Sequence, residues 1–256
     1  MSIFKKVFAS IGIGGATVDT KLEKDTMTAG EEVRGVVEIR GGSIEQKIDE
    51  IYLGIYTTFI KKVDDKKLTD TALIDRIRLT ESFTIKPNKT EIVPFSFWLS
   101  NDTPITAGRT KIWISTGLDI KNAVDPTDKD FIKVLPSPFM NAVFQAISNL
   151  GFRLREAECV EAPYRLRRRL PIIQEFEFVP VSGPFRGRLD ELELVFFPSS
   201  GGAMDIIMQV DRRARGLGGF LAEPLEMDET NVRLTISQAD IPNIQQKISS
   251  VIKRFS

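Results

Sequence analysis

The sequence predicts a mainly β chain: two β-sandwich domains in tandem, with short N-terminal, connector and C-terminal helices. Three observations carry this. Apolar and polar residues alternate with period two from about Thr17 to Val134. A helical pattern then interrupts the alternation, and after Phe152 the alternation resumes as far as Ser237. The expected organisation is a first sandwich with its leading helix over residues 1–134, a helical connector over 135–152, and a second sandwich with a terminal helix over 153–256.

The first segment, Met1 to Ala16, places Ile3, Phe4, Val7, Phe8 and Ile11 at helical spacing with Lys5 and Lys6 between them. A secretory signal would put its positive residues before an unbroken apolar run, so the pattern reads as an amphipathic helix ending at Gly12-Ile13-Gly14-Gly15. Such a helix docks on the protein or lies on a membrane surface. In the next run Val33, Gly35, Val37 and Ile39 face inward while Arg34, Glu38 and Arg40 face water. Residues 51–60 are apolar or small on both faces, as in a covered strand. From Asp75 to Pro87, Ile77, Leu79, Phe83 and Ile85 share a face with Glu81, which calls for a bulge or an edge position. Val93, Phe95, Phe97 and Leu99 share a face in the following run, with Pro94 and Trp98 opposite; Pro94 marks a strand with a free N–H side. Lys111 to Ile120 forms a further strand.

Ser137 then caps a helix with Pro138 at its first position, Phe139, Val143, Ile147 and Leu150 as its buried stripe, and Gly151 as its stop. Strands follow at 175–179, 189–197, 203–211 and 231–237. Phe176 and Phe178, then Leu192, Leu194 and Phe196, then Ile206, Met208 and Val210 face inward. The C-terminal helix has Asp240 as its cap and Ile241, Ile244, Ile248, Val251 and Phe255 as its apolar stripe.

Composition narrows the chemistry. The chain has no histidine, and Cys159 is its one cysteine. Histidine-dependent nucleophile activation is therefore excluded, and a Cys/His zinc site lacks ligands. No metal site, no cofactor and no catalytic group is expected. Cys159 reads as a small buried apolar residue, and its isolation suits a reducing cytoplasm. Charge balances at 35 basic and 35 acidic side chains, so there is no net positive field of the kind that general nucleic-acid binders use. The basic residues differ in kind, however. Residues 1–134 hold 15 Lys and 5 Arg, and residues 153–256 hold 2 Lys and 13 Arg. Arginine makes planar, bidentate, weakly hydrated contacts, which points to the second half for recognition.

Local strings suggest a family. Val93-Pro94-Phe95-Ser96-Phe97-Trp98-Leu99 is similar to a Pro-Phe-x-Phe strand of arrestin-like first domains. Thr116-Gly117-Leu118-Asp119-Ile120 with Val124-Asp125-Pro126-Thr127-Asp128 is similar to the end of that domain in a bacterial subset. With Asp211-Arg212-Arg213-Ala214-Arg215-Gly216, these resemble the bacterial sporulation-control proteins, arrestin-like regulators acting at the onset of sporulation. The resemblance runs over essentially the whole chain. It implies tandem arrestin-like β-sandwiches and a cytoplasmic regulatory protein without enzymatic activity. No residues match the phosphate-sensing core of the visual and β-arrestins.

Two arginine groups are candidate interaction surfaces. Arg165, Arg167, Arg168 and Arg169 follow Tyr164. They form an anion- or partner-binding loop, or a solvated stretch offset by Glu156, Glu158, Glu161 and Glu175. Arg212, Arg213 and Arg215 precede Gly216-Leu217-Gly218-Gly219, a spacing that is neither a P-loop nor a dinucleotide fingerprint. Partner recognition and a turn fixed by ion pairs both remain open there. Asp119, Asp125, Asp128 and Asp130 lack the EF-hand spacing and read as an acidic turn around Pro126. The expected function is a scaffold that binds other cytoplasmic proteins through sandwich edges and arginine-rich loops, the edge near Asp75–Pro87 being one place for strand addition. The same edge would serve a homodimer. The alternative is a peripheral membrane adaptor that uses its terminal helices.

Overall fold

A computed structural model describes residues 15–64, 66–120, 125–211 and 231–254. The chain forms two compact units that are not consecutive in sequence. The first takes the chain up to Thr57, then Leu73–Ser100 and Ile112–Val134. The second takes Thr58–Ala72, Asn101–Lys111 and the chain from Leu135 onward. The predicted N-terminal helix lies outside the described residues.

The first unit holds a three-stranded antiparallel sheet, β1 (Thr17–Leu22), β3 (Glu32–Arg40) and β7 (Thr90–Trp98), in the order β1-β3-β7. A second sheet is built on β4 (Gln46–Val63), which pairs with β8 (Ile112–Ile120); β9 (Thr127–Leu135) and β2 (Thr26–Thr28) continue it. The alternation read from the sequence is what the structure buries: Val33, Val37 and Ile39 are at most 1% exposed, as are Ile51, Leu53 and Ile55 of β4. The two sheets meet at Thr20 and Thr116, whose buried hydroxyls lie 2.5 Å apart. Within the three-stranded sheet Gly35 is needed, since a Cβ there would stand 2.5 Å from the Lys21 carbonyl of β1 and 2.7 Å from the Phe95 ring of β7.

The run with the misplaced Glu81 takes the edge position, one of the two readings, but as two strands. Among the described residues β5 (Lys66–Arg78) and β6 (Phe83–Ile85) each pair with β4, and the strand is interrupted over residues 79–82, where Leu79 N–H still donates to Ile51 O at 2.8 Å. Glu81 sits in that gap, 88% exposed and paired with Arg78. β5 also starts well before Asp75, as the return arm of a hairpin turning at Asp64, where φ is 48°. The acidic residues around Pro126 contribute carboxylate acceptors for backbone donors: Asp125 accepts from Ile120 N–H at 3.0 Å and Asp128 from Thr20 N–H at 2.6 Å.

In the second unit β10 (Phe152–Glu161), β11 (Ile172–Pro180), β12 (Glu191–Pro198), β13 (Met204–Asp211) and β14 (Asn231–Ile236) form one antiparallel sheet in sequence order. Val160 of β10 also pairs in parallel with Ile60 of β4. One sheet face carries Phe176, Phe178 and Phe196, and helix α1 (Pro138–Asn149) roofs it. The Phe144 ring lies 5.1, 5.8 and 5.5 Å from those three rings. The α1 cap is the one read from the sequence, Ser137 Oγ accepting from Met140 N–H at 3.3 Å. Its buried face differs slightly, with Met140 taking the place expected for Phe139. At the C-terminus Asp240 is not the cap. Ser237 is, with Asp240 completing the capping box ahead of α2 (Ile244–Ile252). Ile244, Ile248 and Val251 are buried as expected, Ile252 joins them, and α2 packs on α1. Phe255 lies outside the described residues.

Candidate functional site: an arginine-bordered cleft

The connection between β10 and β11 is a tight turn held between two prolines. Ala162 N–H donates to Pro171 O at 2.8 Å, and Pro163 starts a single 3-10 turn over Tyr164–Leu166. This short tether forces its residues outward. Tyr164 is 90% exposed, and Arg165, Arg167, Arg168 and Arg169 are all exposed.

These arginines do two different jobs. Arg168 and Arg169 fasten the turn. The Arg168 guanidinium lies 4.2 Å over the Phe197 ring, donates to Pro198 O at 3.2 Å and reaches Asp205 at 3.4 Å. Arg169 Nε donates to Asp102 at 2.6 Å. Arg167 pairs with Glu161 at 3.5 Å, in the open. Asp205 is the organising anion: Arg233 and Thr235 donate to it at 2.7 and 2.8 Å, and with Arg168 they hold its carboxyl below the usual range. Arg165 and Arg167 thus stand out toward solvent on a turn whose base is fixed. Arg212, Arg213 and Arg215 lie outside the described residues.

Under the turn lies a cleft of about 80 Å³, lined by Leu166, Leu170, Ile173, Phe176, Phe196, Met140 and Met204, with Asp102 and Arg168 at its border. Cofactor pockets run to roughly 300–1,000 Å³, so this space suits one apolar side chain. Its far wall is the segment 101–105, which Gln174 holds in place. The Gln174 side chain donates to Ile105 O at 2.8 Å and to Thr110 Oγ1 at 3.0 Å, and accepts from Ile105 N–H at 2.9 Å. Sequence reading missed Gln174, although a lone amide between Ile173 and Phe176 is a signal in itself. Cys159 is buried at 1% exposure, in contact with Thr110.

The opposite face of the sheet is rich in glutamates and is nonetheless buried. Glu158, Glu175, Glu177, Glu191 and Glu193 are each 1–3% exposed. The bulge in β10 between Leu154 and Glu156 explains part of this, since Arg155 is turned over the face to pair with Glu177 and, at 2.6 Å, with Glu191. Burial, with the neighbouring Glu158, pushes the Glu175 carboxyl up to about 8. Burial also raises Glu158. Among the described residues no group of His, Cys, Asp and Glu could hold a metal ion, and no helix is long and apolar enough to cross a membrane.

A family profile described as SpoOM protein matches residues 4–214. The sporulation-control protein Spo0M of Bacillus subtilis (strain 168) is 48% identical over 246 residues, covering 96% of this chain and 95% of that protein. The crystal structure of Spo0M from Bacillus subtilis superposes with a TM-score of 0.89 at 44% identity, covering 95% of this chain and all of the other.

Proposed function

Since the chain belongs to the Spo0M family of sporulation-control proteins, we propose that it regulates by binding, seizing a partner protein in the cytoplasm at the arginine-bordered cleft. The observation that carries the proposal is the pairing of an exposed Tyr164, beside Arg165 and Arg167, with a cleft sized for a single apolar side chain. Tyrosine and arginine are the residues that most often dominate binding energy, and a fixed base lowers the ordering cost of engagement. The partner presents an acidic segment with one apolar anchor residue: the anchor fills the cleft and its carboxylates meet Arg165 and Arg167. Such a regulator signals by occupancy and has no need of turnover.

The test is a crosslinked pull-down from native cytosol, run in parallel with wild type and with Tyr164→Ala, Arg165→Glu, Arg167→Glu combined. All three residues are exposed, so folding is preserved. A stoichiometric acidic partner captured by wild type and lost by the variant supports the reading. Equal capture by both, or no partner at all, overturns it.

A further inference from the structure

Glu158 and Glu175 stand directly opposite each other in the β10–β11 ladder, on the same buried face. Opposed side chains in an antiparallel pair have Cβ atoms roughly 5 Å apart. Neither oxygen of Glu158 and not Oε1 of Glu175 has a hydrogen-bond partner among the described residues. The cations facing them are loosely placed. Lys67, on the β4–β5 hairpin, and Arg109, on the 101–111 segment, both stay 3.8 Å from Glu158, and Lys62 acts on Glu175 only at longer range. Lys67 and Arg109 are also largely solvated, at 47% and 74% side-chain exposure. The other groups on this face add negative charge: Glu156 beside Glu158, and Glu177 and Glu193 in the next row, with Arg155 committed to Glu177 and Glu191. Two adjacent buried carboxylates cannot both ionise without a close counter-charge or water.

We propose that Glu158 and Glu175 share one proton in neutral solution, and that its loss in mildly alkaline solution loosens the 58–72 hairpin and the 101–111 segment from β10. These elements border β10 along its edge, through the Val160–Ile60 bridge and the Arg109 N–H bond to Ala157 O, and their Lys67 and Arg109 side chains reach Glu158. A second charge under them draws in water, and screened cations at the rim do not compensate for it. The second unit is thereby a proton-sensitive element. The raised Glu175 carboxyl agrees with this arrangement, and it also fixes the sign. A carboxyl raised from about 4.5 to about 8 keeps its proton in the folded chain after the unfolded chain has lost it. Its stabilising contribution is full below about 4.5 and is lost as pH rises to about 8.

The experiment is urea unfolding of the full chain from pH 5 to 9, comparing wild type with Glu175→Gln, which mimics the protonated group. The ratio of folding equilibrium constants, variant over wild type, rises with pH by up to about tenfold per unit and levels off above pH 8. Amide exchange of the 58–72 hairpin, corrected for intrinsic rate, is faster in wild type than in the variant at pH 8.5. A pH-independent ratio overturns the proposal. If Glu175→Gln fails to fold, carboxyl 13C shifts of the wild-type chain decide: a Glu175 carbon titrating near 4.5 overturns it, and one titrating well above 6 supports it.

Discussion

Gln174 treats Ile105 as a strand would, exchanging hydrogen bonds with both its N–H (2.9 Å) and its C=O (2.8 Å) through one side-chain amide. A side chain thus replaces a backbone ladder and sets the segment that walls the cleft. The same amide reaches Thr110, so one residue holds the 101–111 segment at two points, its middle and its end.

Replacing Gln174 with Leu removes all three bonds and strands the Ile105 N–H, while Ile105 O keeps its bond from Ala107 N–H at 3.0 Å. The expected cost is about 1–3 kcal/mol, read from the urea midpoint, the desolvation carried by one stranded buried group. Gln174→Glu is also destabilising, since a carboxylate cannot donate to Ile105 O.

Arg155 pairs with both Glu177 and Glu191. Arg155→Met takes from two buried carboxylates the cation they share and costs about 3–5 kcal/mol, the range for breaking a buried pair from one side. The triple change Arg155→Met with Glu177→Gln and Glu191→Gln recovers most of that loss. Absence of recovery in denaturation curves would show that Arg155 acts through packing instead.

Gly35→Ala drives a methyl into the Lys21 carbonyl and the Phe95 ring. Strain of this kind costs about 1–3 kcal/mol, and thermal unfolding measures it. Gly35→Ala with Phe95→Leu relieves the ring clash but not the carbonyl clash, so rescue is partial.

The capping box fixes the 3-10 turn Gln238–Asn243 ahead of α2, and through the bond from Lys247 of α2 to Asp240 it makes this C-terminal segment acid-sensitive. Ser237, by side chain and backbone, and then Lys247 donate to Asp240 and hold its carboxyl far below the usual range. A depressed carboxyl contributes stability above its unfolded value of 3.8, and that contribution is lost as pH falls. Helical circular dichroism of wild type therefore declines in acid, and Asp240→Asn flattens the decline while lowering stability at neutral pH.

Much of this was legible in the sequence, and each miss has a physical cause. Period-two alternation located Val33, Val37 and Ile39, and the Ser137-Pro138 start with the Gly151 stop located α1, because these signals are local. Alternation also separated Phe176 and Phe178 from Glu175 and Glu177. It could not say that the second set is covered too, since periodicity distinguishes two faces and is silent on what lies over either. The covering contacts come from Lys67 and Arg109, far back in the chain. Glu81 misled for the opposite reason: its run kept one register on paper, while the strand broke at residues 79–82 and let the charge escape. For the arginine turn, the sequence supplied the cluster but not the division of labour. That division depends on Asp102, Phe197 and Asp205, three residues from three other parts of the chain.

The borrowed segments 58–72 and 101–111 also constrain how the protein can be made in pieces. When Gln174 emerges from the ribosome, its partner Ile105 was synthesised 69 positions earlier and must have waited, exposed or provisionally docked, for the strand that will hold it. A gene fragment opening at Leu135 would encode every strand from β10 to β14 and still yield an incomplete product, lacking the bridge to Ile60 and the clamp on Ile105. The two halves of this polypeptide are therefore not separable modules that evolution or an engineer could shuffle at a single splice point.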